Sequence, residues 1–457
     1  MKRFLGKLFV IAGLFLGLFG ISFIFYLNQL EAGSGPHSKL AWAAMVGSVC
    51  LFIAAWRLPL KGRFAIFMLM ITLIGVECVL QAACWIGILP GVNTMLRVPY
   101  GRTYWTSEGR GNSIRNRFGW NSPPFDEKAT HRIAFIGDSQ VEALEVSNKR
   151  NQAACLERLL HSPDWTVMSL GTRGTALAFY IEVLEYSIRH FHPQDAIIVV
   201  SLGSDITEAT PGLNGLGPER FIYYDLAADG GLILNPESVS PCALFNRSLE
   251  LPHASILINL PQMLMSHCMT LQLGSSLRDA MQLRRRRAEF AQRASKMGGQ
   301  DGPEFQRLGF NPAPFAVNPD AESRKAMALI MAQILRCREI CQSNGMTMQL
   351  VTLPSFPPLF FNSQQGTNWT MHIGNYDYLG PERELVNFAA TNRIPMAAVG
   401  LYLQGKHLSV EEVRSLYFSN GVGHLTEKGH QVCAEAIYEA FYGGTNGLSG
   451  KRAIESQ

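Results

Sequence analysis

The sequence predicts an α/β domain, with a parallel sheet covered by helices on both faces in a three-layer α/β/α sandwich, preceded by three transmembrane helices. Two observations carry this expectation. The apolar excess is concentrated in roughly the first 90 residues, and beyond Arg132 short apolar runs of strand length alternate with helical patterns. The chain has 457 residues, 47% hydrophobic and 17% charged, with a net charge of +4. That charge is too small and too scattered to mark a nucleic-acid binder. Its 42 glycines and 23 prolines exclude collagen-like and low-complexity classes, and no fixed-period repeat suggests a solenoid.

Three apolar runs open the chain: Leu8–Leu27, Leu40–Trp56 and Phe64–Leu89, the last broken only by Glu77 and Gln81. Each approaches the roughly 20 residues that a helix needs to cross hydrocarbon. A cleaved signal peptide is the alternative for the first run. That run is long for one, no small-residue cleavage site follows it, and two more spans come next. Lys2, Arg3 and Lys7 precede the first run, and Arg57, Lys61 and Arg63 fill the turn between the second and third. The positive-inside rule therefore puts the N-terminus in the cytoplasm and everything after Leu89 on the outer side of the cytoplasmic membrane. Glu77, in an apolar helix, is read as a packing contact or a hydrogen-bonded carboxyl rather than part of a relay, because the spans hold no other charge to partner it.

The expected organisation is an anchor over 1–94, a connector over 95–130, the α/β domain over 131–445 and a flexible tail over 446–457. Strands are expected at Arg132–Ile136, Trp165–Leu170, Asp195–Leu202, Met346–Leu353 and Ile394–Val399. Helices are expected at Asn148–Leu160, Ala176–His190, Arg324–Asn344, Pro381–Asn392 and Thr426–Phe441. Residues 210–320 break the alternation and read as an insertion shaping one rim of the site. It carries a hairpin around Asp229-Gly230-Gly231 and a solvated run, Arg284–Arg287. Of nine cysteines, Cys155, Cys242, Cys268, Cys337, Cys341 and Cys433 lie in the outer portion, where an oxidising compartment would allow pairing. No Cys/His spacing suits zinc, so no metal and no cofactor is expected.

Four segments carry chemistry. Ile133–Ser139 is a strand running into Gly-Asp-Ser, which places Ser139 at the carboxyl edge of a parallel sheet, where open α/β folds bind ligands. Gly171, in Met168–Gly174, offers an unobstructed backbone N–H for an oxyanion. Val199–Asp205 ends the third strand. Gly421–His430 places His424 before the last helix, from which it reaches back toward the serine.

These blocks resemble the SGNH or GDSL-type hydrolases over roughly Asn116 to Tyr442. More narrowly, Asn116-Arg-Phe-Gly-Trp120, Leu350–Pro354 and the Asp229-Gly-Gly-Leu hairpin look like its membrane-anchored bacterial branch, which includes proteins acting on acylated cell-envelope polysaccharides. The resemblance implies Ser139 as nucleophile, His424 as base, and an oxyanion hole from Ser139, Gly171 and Ser204. Ser204 stands where the family usually has asparagine. The family also places an aspartate shortly before the histidine, and here Asn420 to Gly423 contains no acid. Asn420 or a main-chain carbonyl is left to orient the imidazole. The implied activity is a cofactor-independent serine esterase or O-acyltransferase acting on acyl esters, most simply acetyl, of an envelope or extracellular polysaccharide. Its implied partners are the acylated glycan, the bilayer and other polysaccharide-biosynthesis proteins, with no nucleic acid. The alternative is a non-catalytic glycan-binding or assembly component, favoured by Ser204 and the missing acid.

Overall fold

Continuous apolar runs such as Asp195–Ser201, every residue of which is buried, can be satisfied only inside a sheet covered on both faces. The computed structural model places five of them side by side. It describes the whole chain except residues 30–35, 86–96, 106–108, 110, 229, 255, 271–312, 355–371, 374–375, 378, 419–422 and 444–457. By contacts the chain divides into two units. One comprises residues 1–104, 114–119 and 244–281, and the other residues 105–113, 120–243 and 282–457.

The second unit is α/β. Its strands are β1 (His131–Gly137), β2 (Trp165–Gly171), β3 (Asp195–Ser201), β6 (Thr347–Leu353) and β7 (Met396–Ala398). A small antiparallel hairpin, β4 (Tyr224–Leu226) and β5 (Leu232–Leu234), lies between β3 and β6 in sequence. The main sheet has the order β7-β6-β3-β1-β2 and every pair is parallel. The order reverses between β1 and β3, so the crevice at their carboxyl ends is the topological switch point, where such sheets bind ligands.

Alternation along the strands sends Ile133, Phe135, Val167, Ile197, Val199 and Val351 to one face. There they pack against α5 (Gln152–Leu160) and α12 (Glu427–Phe441), through Leu156, Cys433 and Ile437. The other face is covered by α6 (Leu177–Phe191) and α10 (Ala321–Ser343). Three short segments complete the local set: α4 (Ser139–Glu142) after β1, α7 (Leu202–Thr207) after β3, and α11 (Gly380–Thr391) before β7. Asn151, Asp320 and Thr426 cap α5, α10 and α12 with their side-chain oxygens.

The first unit is helical. It holds α1 (Lys2–Gln29), α2 (Pro36–Arg57) and α3 (Leu60–Trp85), together with α9 (Ile256–His267) and the end of α8 (Val239–Glu250). Gly13 and Gly17 let α2 approach α1 closely. The Ser48 hydroxyl donates to the Gly13 carbonyl at 2.6 Å and would stand 3.0 Å from a Cβ at Gly17. Among the described residues two helical stretches are long and apolar enough to cross a membrane, Arg3–Ile21 and Leu60–Ala83, while that of α2 is shorter, Ala43–Arg57.

The described residues within 244–270, which fall within the stretch expected as an insertion, group by contacts with the N-terminal helices. The Glu77 carboxylate is hydrogen-bonded to this returning segment. The cysteines whose side chains are described, Cys50, Cys78, Cys155, Cys242, Cys268, Cys337, Cys341 and Cys433, are all free thiols. Arg284–Arg287 and the tail lie outside the described residues.

Candidate active site

Ser139 follows β1 after a single residue, Asp138, and is the first residue of α4. Such a tight strand-to-helix turn needs small residues beneath it. A Cβ on Gly137 would meet Val141 Cγ2 at 2.4 Å. One on Gly171, paired with Gly137 across the ladder, would lie 2.0 Å from the Glu142 nitrogen. Gly171 is therefore where the backbone of β2 meets that of α4, and only glycine fits.

The turn leaves α4 at Ala143, in the left-handed conformation with φ of 50°. The Asn121 amide holds it there, donating to the carbonyls of Glu142 at 2.7 Å and Ala143 at 3.3 Å. Gly111 fits against the following peptide, because a Cβ there would clash with the Leu144 carbonyl. This geometry brings Glu145 back beneath the Ser139 turn, with only 4% of its surface exposed.

His424 Nε2 lies 2.9 Å from Ser139 Oγ. On the other side of the ring, His424 Nδ1 lies 3.3 Å from Glu145 Oε1. A carboxylate can only accept, so it fixes the proton on Nδ1 and leaves Nε2 to accept from the serine hydroxyl. Both the histidine and the glutamate are buried, in surroundings where such interactions are screened little by water. Serine and histidine thus share a hydrogen bond, and the acid lies within ion-pair distance of the other ring nitrogen.

The loop carrying His424 is fixed to the residue after Ser139. Gln140 accepts from the Leu425 N–H at 3.2 Å through its side-chain oxygen and donates to the Gly423 carbonyl at 3.3 Å through its nitrogen. One amide therefore holds the peptides on both sides of His424. Beyond it, the Phe418 N–H donates to the His424 carbonyl at 2.9 Å. His430, the second histidine of the segment, is fully buried in α12. Burial and the neighbouring His424 hold its pKa down to about 3, so it stays neutral and packed.

Asp138 accepts from the Gln140 N–H at 2.9 Å, the Ser201 hydroxyl at 2.9 Å and the Ser204 hydroxyl at 2.8 Å. Burial pushes its carboxyl up against these bonds, which hold it down. Ser204, expected as an oxyanion donor, has its hydroxyl bonded to Asp138, tying the residues just after β3 to the Ser139 turn. Asp205 accepts from the Tyr180 hydroxyl at 2.9 Å and the Ser201 N–H at 2.7 Å. Burial and the nearby Asp138 raise it well above an ordinary carboxyl. The same two causes raise Glu208 to about 8.

Of the residues singled out in the sequence, Ser139 and His424 come together, and Gly171 lies against α4 beside them. Asn420 falls outside the described residues. Glu145, Gln140 and Asn121 were missed. The available signal for Glu145 was an acid inside the otherwise apolar Ala143-Leu-Glu-Val146, a position that burial makes costly without a partner.

No family model matches the chain, and neither does any curated protein. Among solved structures it is similar to a member of the lipolytic protein G-D-S-L family from Veillonella parvula DSM 2008, at 10% identity and a TM-score of 0.32, over 68% of this chain and 98% of that one. A protein assigned to the same family from Desulfitobacterium hafniense DCB-2 aligns over the same shares at 11% identity and a TM-score of 0.32. TesA aligns over 68% of this chain and 98% of its own at 12% identity, again with a TM-score of 0.32.

Proposed function

We propose that the chain is a membrane-anchored serine esterase or O-acyltransferase of SGNH type, acting on acyl esters, most simply acetyl, of a cell-envelope or extracellular polysaccharide. The observation that carries the acyl-transfer chemistry is the chain Ser139 Oγ, His424 Nε2, His424 Nδ1, Glu145 Oε1, with separations of 2.9 Å and 3.3 Å at its two contacts.

In this mechanism His424 takes the Ser139 proton as Oγ attacks the ester carbonyl. Glu145 stabilises the imidazolium that forms. The tetrahedral oxyanion is held by the backbone N–H groups of Ser139 and Gly171. Collapse expels the alcohol with the proton from His424, leaving an acyl-serine. Water then releases the acid, or a sugar hydroxyl takes the acyl group, with His424 as base again. No residue of the site distinguishes these two acceptors. The glycan-binding alternative leaned on the missing acid before His424, and Glu145 supplies an acid from another direction.

Anchoring is supported by the apolar stretches Arg3–Ile21 and Leu60–Ala83. The basic residues Lys2, Arg3, Lys7, Arg57, Lys61 and Arg63 favour a cytoplasmic N-terminus and an extracytoplasmic catalytic domain. The polysaccharide substrate rests on the resemblance of the sequence blocks. The full-length protein should be labelled by a fluorophosphonate at Ser139 and should cleave an aryl acetate. Ser139→Ala should abolish both. A folded wild-type protein that takes no label and releases no acetate would end the esterase reading.

A further inference from the structure

Glu77 lies far along α3, inside the apolar stretch Leu60–Ala83. At 1.5 Å per residue it sits about 9 Å short of the Ala83 end of that stretch. No apolar residue of this window is fully buried; Ile66, Phe67 and Met70 pack on Phe9, Ala54 and Ala55, and much of the remaining apolar surface, including Leu69, Leu73, Ile74 and Val79, is exposed. A carboxylate there needs donors, and it has several. Oε1 accepts from the Gln81 amide at 2.8 Å and the Met269 N–H at 2.6 Å. Oε2 accepts from the Thr270 N–H at 2.9 Å and the Thr270 hydroxyl at 2.6 Å, with Cys268 Sγ at 3.5 Å. Gln81 also donates to the His267 carbonyl.

The donors come from the far end of a segment that packs on α1. Helix α9 reads Ile-Leu-Ile-Asn-Leu-Pro-Gln-Met-Leu-Met-Ser-His and ends at His267. Helical geometry is interrupted at Cys268 and taken up again at Met269 and Thr270. An interruption of this kind leaves backbone N–H groups without intrahelical partners. In water they would be solvated. With α3 spanning a bilayer, no water would reach this depth, and a broken helix is tolerated there only where protein groups satisfy the backbone. Glu77 does so for both N–H groups, acting as a helix cap supplied by another helix, while Gln81 covers the last carbonyl of α9.

We infer that residues 256–270 form a fourth membrane-embedded segment, seated against α1 and α3 among lipid acyl chains, with Glu77 as its anchor. The inference rests on the membrane-anchored reading given above. It assigns Glu77 a fixed structural partner within the bilayer and gives the segment a lipid partner that its place late in the chain does not suggest.

The test uses the full-length protein in phosphatidylcholine liposomes, a photoactivated carbene probe that partitions into acyl chains, and mass-spectrometric mapping of labelled peptides. Peptides from 256–270 should be labelled to nearly the level of α3, and about tenfold above those of α10 in the α/β unit. Glu77→Gln replaces an acceptor oxygen with an amide that repels the N–H groups. It should cut labelling of 256–270 about fivefold or more, with α3 unchanged. Thr270→Val, which removes one donor, should give a smaller loss, and retained fluorophosphonate labelling at Ser139 shows that both variants fold. Labelled α3 with unlabelled 256–270 in the wild type overturns the embedding. An unchanged pattern in Glu77→Gln overturns the anchor. If α1 and α3 also escape the probe, the membrane reading itself fails and this inference falls with it.

Discussion

Replacing Glu145 with glutamine tests whether the acid that reaches His424 from the nucleophile's own turn contributes to catalysis. The substitution keeps size and an acceptor oxygen and removes only the charge. In the ground state His424 is neutral and the loss is small. In the transition state the ring is cationic, and a unit charge 3.3 Å away at an effective dielectric of about 20 contributes about 5 kcal/mol. Glutamine recovers about 1 kcal/mol of this through the neutral hydrogen bond it still accepts. The remaining 4 kcal/mol or so corresponds to a loss of about 10³ in kcat. Because the charge acts on the ring and not on bound substrate, KM should stay within about twofold. The assay is aryl acetate hydrolysis by the full-length protein, with the rate of fluorophosphonate labelling as a second readout and thermal unfolding as the control for folding. A variant that folds normally and keeps kcat within about threefold of wild type would refute the argument, because no charged group in contact with Nδ1 is then needed.

Two further positions, Gln140 and Glu208, can be tested by substitution. Gln140→Leu removes both hydrogen bonds that hold Gly423 and Leu425, and should lower kcat about 10- to 100-fold by freeing the His424 loop. Gln140→Glu keeps the acceptor for Leu425 and should fall between the two, whereas equal rates in all three would remove Gln140 from the positioning of His424. Glu208 concerns stability. Its pKa rises from an ordinary 4.5 to about 8 on folding, so the folded protein holds an extra proton across that window, and stability must fall as pH climbs through it. Thermal unfolding of Glu208→Gln between pH 5 and about 9 should show a flatter decline than wild type, and parallel curves would mean that the carboxyl is not raised.

The sheet was legible because its strands are self-announcing. Asp195–Ser201 and Thr347–Leu353 are predominantly apolar stretches of strand length, and β1 and β2 each end in a glycine, Gly137 and Gly171, where a Cβ would clash with α4. Ser139 and His424 were legible for a related reason, since Ser139 opens α4 and His424 lies in the loop just before α12. The acid was not. Glu145 gets its position from a non-repeating turn, in which Ala143 adopts a left-handed conformation, Asn121 holds two carbonyls from a distant segment, and Gly111 makes room for a peptide. No periodicity encodes these contacts. Looking upstream of the histidine found no acid because the requirement is spatial: a carboxylate on the Nδ1 side of the ring, whichever segment supplies it. Here the supplier is the segment that also carries the nucleophile, and Gln140 beside it fixes the histidine loop. Serine, base position and acid are therefore all referred to one stretch, Gly137–Glu145.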